Sequence, residues 1–143
     1  PEFGQLIASC SEDKTICIFE EQESVTPLKT EQRDRWQRKV TLTDSKKSVN
    51  DVEFAPRHLG LKIAAASADG TVRIYEATDV FSLNYWQLQE FFQVEDYSSG
   101  GQEVEHGVAC ISWNECPFES AKIAVGTYSK IASVWTCDAG SKW

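Results

Sequence analysis

The chain contains no methionine, only two histidines, no Cys-x-x-Cys pair among its five cysteines, and no apolar run near the roughly eighteen residues that a membrane-spanning helix needs. Each absence removes a class of function. An odd cysteine count without close pairs supports neither a zinc site nor a disulfide framework, and free thiols fit a reducing nuclear or cytosolic compartment. Cys10, Cys17 and Cys110 fall in expected strands, where cysteine behaves as a small buried hydrophobe; Cys116 is expected to lie exposed in a loop. His58 and His106 stand in expected loops beside no ligand or nucleophile pattern, so no catalytic, metal-binding or cofactor-binding residue is assigned and no enzymatic activity is expected. No signal peptide is visible.

Cations are also scarce. Lys and Arg number 14 against 22 Asp and Glu, a net charge of -8, which disfavours direct contact with nucleic acid or an anionic membrane, since both need clustered positive charge. One local excess runs against this balance: Lys29, Arg33, Arg35, Arg38, Lys39, Lys46 and Lys47 crowd a single stretch. It reads either as a solvated strand edge whose charges discourage stray pairing or as a patch for an acidic partner.

What is present is repetition. Residues 4–20 laid over residues 60–76 give eight identities at an offset of 56: Gly4/Gly60, Ile7/Ile63, Ala8/Ala64, Ser11/Ser67, Asp13/Asp69, Thr15/Thr71, Ile18/Ile74 and Glu20/Glu76. Chance would give about one. A weaker third copy keeps Ile123-Ala124, Thr127 and Val134-Trp135 in frame. Each copy reads as a hairpin: a small apolar arm, a polar turn, then a β-branched arm closed by an aromatic. Asp69-Gly70 is a strong hairpin signal and predicts a type I′ turn with both residues at positive φ. Asp13-Lys14 fills the same slot less comfortably, and Ser129-Lys130 predicts a longer or looser third turn.

Strands of matching pattern precede two of the hairpins, at 49–54 and 108–113, each closing on an aromatic, Phe54 or Trp113. Alternating segments carrying Trp36, Val40 and Leu42, then Trp86, Leu88, Phe92 and Val94, follow the first two hairpins and read as half-exposed strands. Four strands per unit, with inner strands apolar on both faces and an alternating outer one, is the requirement of a propeller blade. The expected architecture is all-β, a partial β-propeller of about two and a half blades. Residues 1–47 supply three strands of one blade (b, c and d), 48–95 a complete blade, and 96–143 an inserted loop with strands a, b and c of a third. About ten strands fall short of a closed ring, and there is no initiator methionine, so the chain is expected to be a fragment of a longer protein.

The run Ser67-Ala68-Asp69-Gly70-Thr71-Val72-Arg73-Ile74-Tyr75-Glu76 resembles a WD40 repeat, with Phe19, Tyr75 and Trp135 as blade-closing aromatics in the slot of its tryptophan. Pro1-Glu2-Phe3-Gly4-Gln5, Ser48-Val49-Asn50-Asp51-Val52 and Phe54-Ala55-Pro56-Arg57-His58-Leu59-Gly60-Leu61 further resemble the SEH-type nucleoporins. That resemblance implies a scaffold subunit of the Y-shaped outer ring of the nuclear pore, an open six-bladed propeller completed in trans by a blade from an α-helical nucleoporin. It also implies service in mRNA and protein transport and in an amino-acid-sensing complex at the lysosome or vacuole. The related COPII-type cage propeller and a generic closed WD40 adaptor are the alternatives.

WD40 repeats often pin the turn aspartate through a histidine in the preceding d–a loop. Here Ser45 and Val104 occupy the histidine positions, and Ser129 stands where the third aspartate should be. Ser11, Asp13, Thr15, Ser67, Asp69, Gly70 and Thr71 are therefore the expected structural turn residues, held by local side-chain to backbone bonds alone. Surplus length in 20–35, 77–85 and 95–107 marks elaborated loops. Partners are expected first on the side where the a–b and c–d connections emerge, while 95–105 reads as an acidic linker.

Overall fold

The computed structural model describes residues 6–22, 35–94, 107–138 and 142–143. These hold ten strands: β1 (Leu6–Cys10), β2 (Ile16–Glu21), β3 (Trp36–Leu42), β4 (Val49–Phe54), β5 (Lys62–Ser67), β6 (Thr71–Ala77), β7 (Trp86–Gln93), β8 (Val108–Trp113), β9 (Lys122–Thr127) and β10 (Ala132–Thr136), with one short 3₁₀ turn, Arg57–Leu59. They form three antiparallel sheets, β1-β2-β3, β4-β5-β6-β7 and β8-β9-β10. The protein is an all-β, partial β-propeller.

The repeat seen in sequence recurs in geometry. In both c–d pairings a register shift falls at the same place in the repeat, Ile18/Phe19 and Ile74/Tyr75. Both a–b pairings shift near the start of strand a, between Val49 and Asp51 and between Val108 and Cys110. Such bulges add local twist.

Period-two alternation explains why the central sheet is apolar on both faces. Val49, Ile63, Ala65 and Tyr75 point one way, into a cluster with Ile16, Ile18 and Leu42 from the first sheet. Ala64, Ala66, Val72 and Ile74 point the other way, against Val108, Ile111, Trp113, Ile123 and Val125 of the third. A run of three alanines at the middle of β5 suits a strand squeezed from both sides, and each isoleucine so buried contributes about 1.5–3 kcal/mol. Phe92 stacks on Trp135 at 4.3 Å and lies 5.8 Å from Trp143, which meets Trp113 edge-on at 5.6 Å.

The outward faces of the first and third sheets are less covered. Ile7 is 45% exposed and Val134 68%. Cys110, expected to be buried, is exposed: the bulge between Val108 and Cys110 turns Val108, Ile111 and Trp113 inward and leaves Cys110 on the open side. Cys116, expected to be exposed, is half-buried in a turn where its amide bonds the Asn114 side chain at 3.1 Å.

The hairpin turns also depart from expectation. Gly70 has φ 82°, but Asp69 is absent from the residues at positive φ, so the turn is not type I′. The Gly70 amide bonds the Ser67 carbonyl at 3.1 Å, making Ala68 and Asp69 the central pair of a β-turn followed by a left-handed residue. The other two turns repeat it: Lys14 amide to Ser11 carbonyl at 3.2 Å and Lys130 amide to Thr127 carbonyl at 3.1 Å, with φ of 74° and 66° at the lysines. The third turn is thus the same length as the second. Ser129 substitutes for aspartate, its hydroxyl lying 2.8 Å from that of Thr127.

Candidate protein interface

The turn residues set the rigidity of one end of the blades. Asp13 accepts from the Thr15 amide at 2.9 Å and the Thr15 hydroxyl at 2.6 Å, and its own amide donates to the Ser11 hydroxyl at 3.2 Å. The Thr15 bonds hold the Asp13 carboxyl below its usual range. These contacts are local, as the sequence predicts.

In the second blade they are not. Asp69 repeats the local pattern, its amide donating to the Ser67 hydroxyl at 3.2 Å and Oδ1 accepting from the Thr71 amide at 3.0 Å. It also takes the Arg73 guanidinium at two points, 2.8 and 3.3 Å, and the Lys46 amide at 3.1 Å. The d–a loop is therefore fastened to the turn without a histidine: a main-chain amide and an arginine replace the imidazole. Burial alone would push the Asp69 carboxyl up, but the Arg73 bonds, the Lys46 amide, the Arg73 charge and Thr71 outweigh it and bring it down to about 2. Beside this network Tyr75 is 1% exposed, and burial, helped by the Asp44 charge, pushes its phenol up.

Of the other closing aromatics, Trp135 stacks on Phe92 and donates its indole N–H to the Ser133 hydroxyl at 3.0 Å, while Phe19 is half-buried opposite Ile7 and Arg38. The glutamates that follow two of these aromatics are paired with lysines, Glu20 with Lys39 at 3.1 Å and Glu76 with Lys62 at 3.3 Å.

A second set of functional residues escaped the sequence reading. β8 ends its sheet, so one row of its main-chain donors and acceptors has no strand to pair with. Side chains of β4 fill the place of that strand: Asp51 Oδ2 accepts from the Ile111 amide at 2.9 Å, Glu53 Oε2 from the Trp113 amide at 3.0 Å, and Asn50 Nδ2 donates to the Val108 carbonyl at 2.6 Å. The Trp113 indole also donates to the Glu53 carbonyl at 3.3 Å. In sequence the signal is a pair of carboxylates two apart, Asp51 and Glu53, in a strand that also carries Val49, Val52 and Phe54, which alternation alone reads as a wet face.

The opposite, loop-bearing end carries apolar surface. Phe81 and Phe118 are each 94% exposed and Tyr85 71%. The loop bearing Phe81 is anchored rather than loose: Leu83, at φ 56°, is buried, its carbonyl accepts from the Trp86 indole at 3.1 Å, and Asp79 accepts from the Phe81 amide at 2.9 Å. The left-handed leucine costs about 1–2 kcal/mol, offset by burying its side chain. An open groove of about 510 Å³ runs between the Ala55–His58 connection and Trp113 with Glu115. Solvent-exposed rings, one of them on an anchored loop, and an open groove are features that a protein partner recognises.

No group of three His, Cys, Asp or Glu among the described residues is placed to hold a metal ion. His58 is exposed in the 3₁₀ turn; His106, Lys29, Arg33 and the 95–105 linker lie outside the described residues.

Comparison with known proteins agrees with this architecture. The profile of the family "WD domain, G-beta repeat" matches residues 1–20 and 36–76. The chain is 44% identical over 129 residues to nucleoporin SEH1-A of Xenopus laevis and to nucleoporin SEH1 of Homo sapiens, covering 89% of this chain and 33% of each relative. To nucleoporin SEH1 of Bos taurus it is 46% identical over 114 residues, 80% of this chain and 29% of the relative. The chain thus spans about a third of the length of the curated relatives it matches.

Proposed function

Because the chain belongs to the WD-repeat nucleoporins of the SEH type, we propose that it forms part of a non-enzymatic scaffold subunit of the nuclear pore outer ring. In this reading residues 48–95 are one complete blade, flanked by 1–47 and 96–143 as parts of two others, in an open six-bladed propeller. The gap is filled in trans by a blade from an α-helical partner nucleoporin, a form of strand addition, and it lies outside these residues. Other outer-ring subunits dock on the loop end. The protein resides at the nuclear envelope and serves mRNA and protein transport, with a second post in an amino-acid-sensing complex at the lysosomal or vacuolar surface.

The observation that carries the proposal is the extent of the likeness, 44% identity across 89% of the chain to proteins named as nucleoporins. The physical case is compatible: a rigid stack of sheets, exposed rings on anchored loops, and Ser11, Asp13, Thr15, Ser67, Asp69, Gly70 and Thr71 acting as structural fasteners rather than as a reaction centre. Affinity purification of the full-length protein followed by mass spectrometry tests it. Outer-ring nucleoporins as the dominant partners are expected. Recovery of vesicle-coat subunits or ubiquitin-ligase components in their place would overturn it.

A further inference from the structure

Lys14, Lys46 and Lys47 line one concavity of about 250 Å³, which Tyr128 also lines. They reach it from separate parts of the chain: Lys14 from the β1–β2 turn, Lys46 and Lys47 from the β3–β4 connection, and Tyr128 from the β9–β10 turn. Turns of the first and third sheets therefore meet at one site, at the end of the blades opposite the exposed phenylalanines.

The walls are fixed. The Ala68 amide bonds the Ser48 carbonyl at 2.8 Å, the Tyr128 amide bonds the Gly107 carbonyl at 3.1 Å, and the Lys46 amide is held by Asp69 at 3.1 Å. A Cβ at Gly107 would stand 3.0 Å from the Tyr128 ring and 3.1 Å from the Ala68 backbone, so the closure is tight.

Among the described residues no carboxylate forms an ion pair with the three lysines of this frame. Arg35, Lys39, Lys62, Arg73 and Lys122 each pair with a carboxylate. Among the described residues Lys14, Lys46 and Lys47 pair with none, nor do Arg38, Arg57, Lys130 and Lys142, but only Lys14, Lys46 and Lys47 come together in one concavity. Lys14 holds the left-handed backbone position that Gly70 fills in the second turn and Lys130 in the third.

We propose that this concavity binds an extended acidic segment of a partner protein, its carboxylates taking the three ammonium groups and its chain lying against Tyr128, which is 54% exposed. A site of this volume admits one or two side chains but no duplex. Tyrosine supplies the amphipathic contact that peptide recognition favours. This reading does not depend on the blade-donation proposal, because the site lies within residues described here.

The test is fluorescence anisotropy of the full-length protein with fluorescein-labelled hexaglutamate. Lys14→Gln, Lys46→Gln and Lys47→Gln combined should weaken binding about tenfold or more, whereas Lys62→Gln with Lys122→Gln should leave it unchanged. Should the triple variant misfold, Lys46→Gln and Lys47→Gln taken singly should each weaken binding about threefold. The proposal is overturned if hexaglutamine binds as well as hexaglutamate, or if the control pair weakens binding equally. Tighter binding of single-stranded oligothymidine or phosphatidylserine vesicles, or displacement of the peptide by equimolar inorganic phosphate, would also overturn it.

Discussion

Arg73 holds Asp69 through both guanidinium nitrogens, at 2.8 and 3.3 Å, with each side chain 8% exposed. This pair, four residues apart, does in the second blade what a histidine would otherwise do: it ties the turn to strand c, and the Oδ2 that takes one guanidinium nitrogen also accepts from the Lys46 amide of the d–a loop. Asp69→Ala would leave Arg73 charged, nearly buried and unpaired. We expect a loss of about 3 kcal/mol by urea unfolding, whereas the equivalent change at an exposed ion pair, Glu119→Ala, should leave the urea midpoint nearly unchanged.

The same pair gives a pH signature. The Asp69 carboxyl is lowered from 3.8 to about 2 in the folded protein. A depressed carboxyl contributes stability that is complete above its unfolded value and lost as the pH falls through the folded one. Its stabilisation, on the order of 1–2 kcal/mol after allowance for solvent screening, should fade between about pH 4 and pH 2. In Asp69→Asn that part of the acid sensitivity should vanish, and unchanged acid unfolding would refute the assignment.

Left-handed positions in the three turns make opposite predictions at equivalent sites. Gly70→Val should destabilise the protein by about 1 kcal/mol or more, because φ there is 82°. Lys130→Gly should stabilise it by about 0.5–1 kcal/mol, relief of the left-handed lysine outweighing the added entropy of the unfolded chain. Thermal unfolding of both variants reads the two signs.

Much of this fold was legible in the sequence, and the reason is physical. Eight identities between residues 4–20 and 60–76 mean two segments facing the same environment, so arm lengths, turn positions and the aromatic slot follow together. Alternation at Trp86, Leu88 and Phe92 located the outer strand in the same way. Details that depend on a neighbouring blade were not legible. Asp51 and Glu53 look solvent-facing until β8 is placed beside them, Arg73 looks like a surface cation until the d–a loop closes over Asp69, and a single bulge moved Cys110 to the open side. The turn type was misread because a left-handed Gly70 after Ala68-Asp69 and a type I′ Asp69-Gly70 present the same two letters.

The carboxylates of β4 join the second blade to the third. Glu53→Ala removes the acceptor of the Trp113 amide and should cost about 1.5–3 kcal/mol, Asp51→Ala about the same at Ile111. The loss should localise: amide hydrogen exchange at Ile111 and Trp113 is expected to rise, with the β1–β2 hairpin unchanged. Uniform loss of protection across the chain would mean that the two carboxylates do not act as a clamp.

The central claim, an open SEH-type propeller that takes its missing blade from a helical nucleoporin outside these residues, is tested most directly by co-purification. The full-length protein with residues 23–33 shortened would be co-expressed with that nucleoporin, and the complex read by size-exclusion chromatography with light scattering. Retention of the complex at the unmodified stoichiometry is the predicted result. Loss of the partner, with circular dichroism still reporting a folded propeller, would contradict the placement of the slot and the proposed function with it.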